Sequence, residues 1–284
     1  MHLVIHVGLI KTGSTFLQQK VFPLLEPQVT FIRSNEKLLS RKHMIKNQNS
    51  ILISDENISG NPLDEGIAHG EFFEQFKNSL DNIIKIHKGP KLVIGFREPS
   101  DFIQSLYKQY IREQGVDTWD QFLQKNLDVL KEDLLFSKYI LYAQKKFRKE
   151  QLFIYTMDDF KISTFSLVEK LTSFICDDKT QGHAIASKIN FNSRSNPSIP
   201  LSLEKNTIRL NKIHSLMYNK LGFQVNFRVG KYSFNSRNIS RELNQYILPK
   251  FISFHKKRDL KDLENIFTKD WSICKELIHK HSNT

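Results

Sequence analysis

The stretch that most constrains this chain is Leu3 to Leu17, LVIHVGLIKTGSTFL, which predicts a buried strand, a glycine-bracketed turn and a helix in immediate succession. Leu3, Val4, Ile5 and Val7 form a short apolar run of the kind a parallel sheet covers on both faces. Gly8 and Gly13 bracket Leu9, Ile10, Lys11 and Thr12, and a helical pattern starts with Ser14, Thr15, Phe16 and Leu17. The two glycines let the backbone turn its N–H groups inward. The helix that follows adds the positive end of its dipole, so the stretch is suited to hold a tetrahedral anion.

Set against the nucleotide-binding P-loop, GxxxxGK[ST], the spacing of Gly8 and Gly13 agrees, but Ser14 stands where the lysine belongs and Lys11 sits inside the loop. A lysine there meets the bound group from a different side than one reaching the β and γ phosphates of a nucleoside triphosphate. The run Lys11-Thr-Gly-Ser-Thr resembles the phosphosulfate-binding loop of the sulfotransferases, whose pattern is close to PKTGTT. Ile10 replaces the usual proline and Ser14 the usual threonine, and neither change removes the lysine or a backbone donor. The resemblance implies that Lys11, Thr12, Gly13, Ser14, Thr15 and Phe16 bind the donor nucleotide and that Lys11 also serves catalysis. A plain glycine turn carrying an exposed lysine is the alternative.

A second motif follows a second buried strand, predicted over Lys91 to Phe96: Gly95-Phe-Arg-Glu-Pro-Ser-Asp-Phe-Ile-Gln-Ser-Leu-Tyr. Ser100 or Asp101 is expected to cap the next helix, whose apolar stripe is Phe102, Ile103, Leu106, Tyr107, Tyr110 and Ile111. Arg97 then leaves the strand tip, and Ser105 lies eight residues on, inside the helix. A guanidinium fork and a hydroxyl so placed can grip one phosphate from two sides. This resembles the 3′-phosphate element of sulfotransferases, near RdPxxrxxSxY, with Arg97, Pro99, Ser105 and Tyr107 in register.

Ile51 to Ile53 is predicted to be another buried strand, ending in Ser54, Asp55, Glu56 and Asn57, at the edge where open α/β sheets place their ligands. ILISDE also fits a Walker B strand, in which Asp55 would hold magnesium and Glu56 orient water. That reading calls for the loop lysine that Ser14 replaces. SDENIS resembles the strand-end glutamate motif of the glycan sulfotransferases, which implies that Glu56 is the general base; Asn57 stands where that motif has lysine. Simple capping by Asp55 and Glu56 is the third option. Further along, FNSRSNPSIP (191–200) occupies the place where a sulfotransferase closes over the nucleotide, and Arg194 is the candidate contact.

The excess of 42 Lys and Arg over 30 Asp and Glu, a formal charge of +12, suits an anionic ligand. The largest basic block is His255, Lys256, Lys257 and Arg258, with no interleaved aromatics, so no nucleic-acid partner is expected. Cys176 and Cys274 are too far apart in sequence to suggest a zinc site, and the ten histidines show no ligand spacing, so no metal is expected. No apolar run approaches the roughly 18 to 20 residues of a membrane span, and cytoplasmic localisation is expected.

Helices are also predicted near 14–25, 71–87, 117–127, 133–149, 163–176, 201–221, 239–254 and 260–279, and strands at Thr30 to Arg33 and Leu152 to Thr156. Asp158 and Asp159 read as structural caps. Turn-rich 60–70 reads as a loop over the site, and 35–48 as a polar connection. The expected architecture is one α/β domain over 1–284, a P-loop-like three-layer fold with a mostly parallel central sheet flanked by helices. Residues 1–176 form its donor-binding core and 177–284 its helical, acceptor-side elements. The resemblance implies sulfuryl transfer from 3′-phosphoadenylyl sulfate (PAPS) to an acceptor hydroxyl, preferably of a glycan or glycolipid, leaving adenosine 3′,5′-bisphosphate (PAP). A P-loop kinase or NTPase, and a non-catalytic phosphate-binding module of the same fold, are the alternatives.

Overall fold

The structure is a computed structural model that describes residues 2–9, 12–33, 50–59, 71–112, 115–189, 191 and 263–283, with scattered positions between 204 and 260. Five strands, β1 His2–Gly8, β2 Thr30–Arg33, β3 Ser50–Ser54, β4 Lys91–Phe96 and β5 Leu152–Thr156, form one parallel sheet in the order β2-β3-β1-β4-β5. The apolar run of β1 explains its central place: every residue from Leu3 to Gly8 is buried. Side chains alternate across a strand, so Leu3, Ile5 and Val7 enter one core while Val4 enters the other.

The first core is covered by α2 (Phe72–Ile86), α3 (Pro99–Arg112), α4 (Trp119–Asp133), α5 (Phe136–Lys146) and the C-terminal helix, called α8 here (Leu263–Asn283). Phe76, Leu106, Phe122, Ile140 and Phe267 are among the residues these helices bury against the sheet. The opposite core is covered by the helical run from Ser14 to Leu25, by α6 (Met157–Cys176) and by α7 (Lys179–Ser187), through Leu17, Phe22, Leu171 and Ile185. Helices on both faces of a parallel sheet make the fold a three-layer α/β domain. A two-stranded antiparallel hairpin, β6 Phe227–Val229 and β7 Tyr232–Phe234, lies outside this sheet.

Several elements depart from the sequence-based expectations. The helix expected over 14–25 is a continuous helical run of three kinds: α1 over Ser14–Phe16, a π segment over Leu17–Val21 and a 3₁₀ turn over Phe22–Leu25. Pro23 has no N–H to give an α-helical ladder, which accounts for the change in its final turn. Neither Ser100 nor Asp101 caps α3. The cap is Glu98, whose Oε2 accepts from the Asp101 backbone N–H at 2.9 Å, and Pro99 takes the first helical position. Helix α6 starts at Met157, six residues before Ser163, and Ser163 marks a break inside it. There φ is −159° and ψ is 99°, and Ser163 Oγ accepts from Ser166 N–H at 3.1 Å, capping the second half. Asp159 acts as the expected cap, its Oδ2 accepting from the Thr156 N–H at 2.6 Å and hydroxyl at 2.9 Å. Helix α7 and the hairpin are additions to the predicted elements. The expectations for 35–48, 60–70 and 239–254, and most of 201–221, lie outside the described residues.

One residue pair controls how β1, β4 and β5 line up at their carboxyl ends. Gly8 is registered with Gly95, and Gly95 with Tyr155. The Tyr155 ring lies over Gly95, so closely that a methyl group there would occupy the space of the ring and its hydroxyl. Gly95→Ala is therefore expected to destabilise the protein by about 1 to 3 kcal/mol through overpacking. Urea unfolding would measure it, and an unchanged midpoint would mean that the ring does not need the glycine.

Candidate functional site

In a parallel sheet ordered β2-β3-β1-β4-β5, the chain leaves β1 for one side and later returns to the other, so a crevice opens beyond the carboxyl ends of β1 and β4. Open α/β sheets bind ligands at this switch point. Three predicted segments converge on that edge: the glycine-bracketed turn after β1, Asp55 and Glu56 after β3, and Arg97 after β4. Register draws them together. Gly8 pairs with Gly95 two residues before Arg97, and His6 pairs with Ser54 two residues before Glu56. The Asp55 N–H also donates to the His6 carbonyl at 3.1 Å.

Gly13 sits at φ 86°, the left-handed region that favours glycine, and serves as the N-cap of α1. The Phe160 ring lies against it where any side chain would project. Thr12 is buried, and its hydroxyl donates to the Leu9 carbonyl at 2.5 Å, closing the turn on itself. Ser14 is 2% exposed, with its Oγ over Gly8, and it meets no hydrogen-bond partner among the described residues. A hydroxyl buried in that way costs free energy unless a bound group satisfies it. Thr15 and Phe16 are half-buried, and Phe16 packs edge-on to Phe160 at 5.9 Å.

Arg97 is half-buried at the tip of β4, with Nη2 3.9 Å from Asp101 Oδ2. Burial pushes its pKa below the usual range, while Asp101, Glu98 and Asp158 oppose that shift; a guanidinium remains charged regardless. Lys161 Nζ joins the cluster, 2.8 Å from Asp158 and 3.9 Å from Asp101. Ser105 is half-buried in the second turn of α3, roughly 9 Å along the axis from Pro99 at 1.5 Å per residue. Glu56 opens a 3₁₀ turn over Glu56–Ser59 whose closing bond runs from Ser59 Oγ to the Glu56 carbonyl at 2.9 Å. Glu56 is half-buried, two residues beyond Ser54, the β3 residue registered with His6. Lys11 and Arg194 lie outside the described residues. Among the described residues no cluster of His, Cys, Asp or Glu could hold a metal ion, and no helix is long and apolar enough to cross a membrane.

Beneath the turn lies a set of buried polar side chains that motif spacing does not reveal. His6 Nδ1 is 2.7 Å from Ser54 Oγ and its Nε2 is 3.0 Å from the Tyr155 hydroxyl, while Gln18 Nε2 donates to Ser54 Oγ at 2.9 Å. The sequence carried one signal for it: a histidine at an inward position of an otherwise apolar buried strand must find partners.

No protein-family model matches the chain, and no curated protein matches it. Among solved structures it is similar to a sulfotransferase from Alicyclobacillus acidocaldarius, with a TM-score of 0.45 and 11% identity over 78% of this chain and 93% of that one. It is also similar to mouse sulfotransferase SULT7A1 complexed with PAP, with a TM-score of 0.39 and 15% identity over 100% of this chain and 84% of that one.

His6 is fully buried, and desolvation lowers its pKa from 6.5 to about 3. Between those values the unfolded chain takes up a proton that the native state refuses, so stability is fully present above pH 6.5 and declines as the pH falls towards 3. The expected slope from this one group is up to roughly 1.4 kcal/mol per pH unit. Urea unfolding across that range should show it, and His6→Gln should flatten the curve by that amount; an equal slope in the variant would refute the assignment.

Proposed function

We propose that this protein is a PAPS-dependent sulfotransferase. The observation that carries the proposal is the convergence of the glycine-bracketed turn and Arg97 at the carboxyl ends of adjacent strands β1 and β4. This is the arrangement needed to hold two phosphate groups of one nucleotide, and the two motifs that resemble sulfotransferase loops are the ones that meet there. The Ser14 hydroxyl, buried and without a hydrogen-bond partner among the described residues, supports an anionic occupant of the turn.

In this reading the donor supplies an activated sulfuryl group in a mixed anhydride with phosphate. The N–H groups of the turn and of Ser14, Thr15 and Phe16 hold the phosphosulfate end. Arg97, with Ser105, holds the 3′-phosphate through charge-assisted bonds, and Arg194 reaches the nucleotide from the segment beyond α7. Glu56 accepts the proton of the acceptor hydroxyl as that oxygen forms its bond to sulfur. Lys11 stabilises the charge that collects on the phosphate oxygen as the old S–O bond breaks, a role whose loss typically costs on the order of a hundredfold or more in rate. The products are the sulfated acceptor and PAP, and no residue of this scheme needs a metal. A sugar hydroxyl of a glycan or glycolipid is the proposed acceptor, on the strength of the strand-end glutamate, and the +12 charge accommodates an anionic one. Residues 1–176 carry the donor side of one domain, and 177–284 the acceptor side.

Calorimetric titration with PAP, and separately with ATP plus magnesium, tests this. PAP is expected to bind more tightly than ATP, and Arg97→Ala to weaken PAP by about tenfold to a hundredfold, the range for losing a charge-assisted bond. Tighter binding of ATP with magnesium, unaffected by Arg97→Ala, would overturn the proposal in favour of a kinase or NTPase built on Asp55 and Glu56. Binding of PAP without turnover of PAPS would mark a phosphate-binding module.

A further inference from the structure

Two cations near the tip of β4 lean on the same oxygen. Arg97 Nη2, from the end of the strand, and Lys161 Nζ, from the first segment of α6, each lie 3.9 Å from Asp101 Oδ2. The two are therefore no farther apart than twice that distance. An ion pair at that length is not a hydrogen bond, so Asp101 gathers the two cations without either donating to that oxygen. The other carboxylates around them are engaged elsewhere. Glu98 Oε2 accepts from the Asp101 N–H at 2.9 Å as the cap of α3, and Asp158 Oδ1 accepts from Lys161 at 2.8 Å across one turn of α6. That last pair is exposed, with side chains 62% and 41% accessible for Lys161 and Asp158, and exposed pairs are weak and screened by salt. An ammonium carries three donors on a flexible four-carbon stem, so Lys161 can turn to a neighbouring anion without any movement of α6.

Lys161 stands where the two phosphate-facing segments meet. Phe160, the residue before it, lies against Gly13 in the turn after β1, while Asp101, its neighbour across the gap, belongs to the first turn of α3, four residues after Arg97. Topology brings Lys161 there, because β5 pairs with β4 and leads directly into α6. We propose that Lys161 is a second phosphate-binding cation beside Arg97, and that the pair confers preference for a nucleotide bearing a 3′-phosphate. Two charge-assisted bonds of about 2.8 Å to separate oxygens of one phosphate span the gap between the cations. The phosphate replaces a single carboxylate oxygen as their common partner. Asp101 is a positioning residue in this arrangement: a carboxylate in the first turn of a helix is favoured by the dipole, and from there it keeps the two cations together before a ligand arrives. That the phosphate is the 3′-phosphate rests on the proposed function above; the sharing of one phosphate by Arg97 and Lys161 does not.

Calorimetric titration of the full-length protein with PAP and with adenosine 5′-monophosphate (AMP), which lacks only the 3′-phosphate, tests this. Lys161→Ala is expected to weaken PAP about fivefold to tenfold and to leave AMP within about twofold, a smaller loss than that of Arg97→Ala because Lys161 is the more exposed of the two. Lys161→Arg, which keeps the charge, should hold PAP within about threefold of the wild type. The double variant Arg97→Ala/Lys161→Ala should bind PAP no better than AMP. Unchanged PAP affinity in Lys161→Ala, or an equal loss for PAP and AMP, would overturn the proposal, since a residue that only ties α6 to α3 would affect both ligands alike. A second measurement needs no nucleotide: inorganic phosphate added to the ¹⁵N-labelled protein is expected to shift the amides of 96–101 and 158–161 together in the wild type and in neither single variant. If the wild type prefers ATP with magnesium to PAP, the proposed function falls, and the phosphate titration decides this inference. Shifts confined to one of the two segments, or retained in Lys161→Ala, would overturn it.

Discussion

The alignment of β1, β4 and β5 at their carboxyl ends depends on a buried imidazole that cannot be left without partners. An unpaired polar group in a low-dielectric core costs more than a formed hydrogen bond returns. His6 therefore ties the positions of its two neighbours: Ser54 on β3 and Tyr155 on β5 must both reach it. Between β1 and β5 runs β4, and the bond to Tyr155 exists because β4 offers a glycine at the crossing point. The sheet's register and the pairing of that imidazole are one constraint rather than two.

That constraint sits where topology already favours a ligand. The sheet order places the exits of β3, β1 and β4 side by side, and each exit carries a different kind of group: carboxylates after β3, a backbone turn after β1, a guanidinium after β4. Binding and chemistry are thereby divided among segments far apart in sequence. The two cores below have separate tasks. The one under the helices α2 to α5 and α8 takes Leu3, Ile5, Val7, Leu92 and Ile94 from the sheet, whereas the one under Ser14–Leu25 and α6 includes His6, Ser54 and Tyr155.

Much of this architecture was legible from residue pattern. The strands Lys91–Phe96 and Leu152–Thr156 fall where continuous apolar runs between turn residues place them, because a strand covered on both faces admits little else. The meeting of the turn with Arg97 was legible only as two separate motifs, since adjacency of β1 and β4 is a property of topology. The cap of α3 departs from expectation because serine and aspartate are the commoner caps, and Glu98 acts there because Pro99 takes the first helical position. In sequence His6 is one polar residue in an apolar run. Its significance comes from cross-strand partners 48 and 149 residues away, which no local pattern encodes.

The break in α6 has a mechanical consequence. The segment before Ser163 bears Phe160, which lies on Gly13, and Asp158 and Lys161, which surround Arg97 through Asp101; the segment after it bears Leu167, Val168 and Leu171, which are locked into the core. One extended residue joins the two, so the helical hydrogen-bond ladder does not run through. The part that touches the site is thus hinged to the part that anchors it, and a movement at the mouth of the turn can end at Ser163 without loosening the packing behind it.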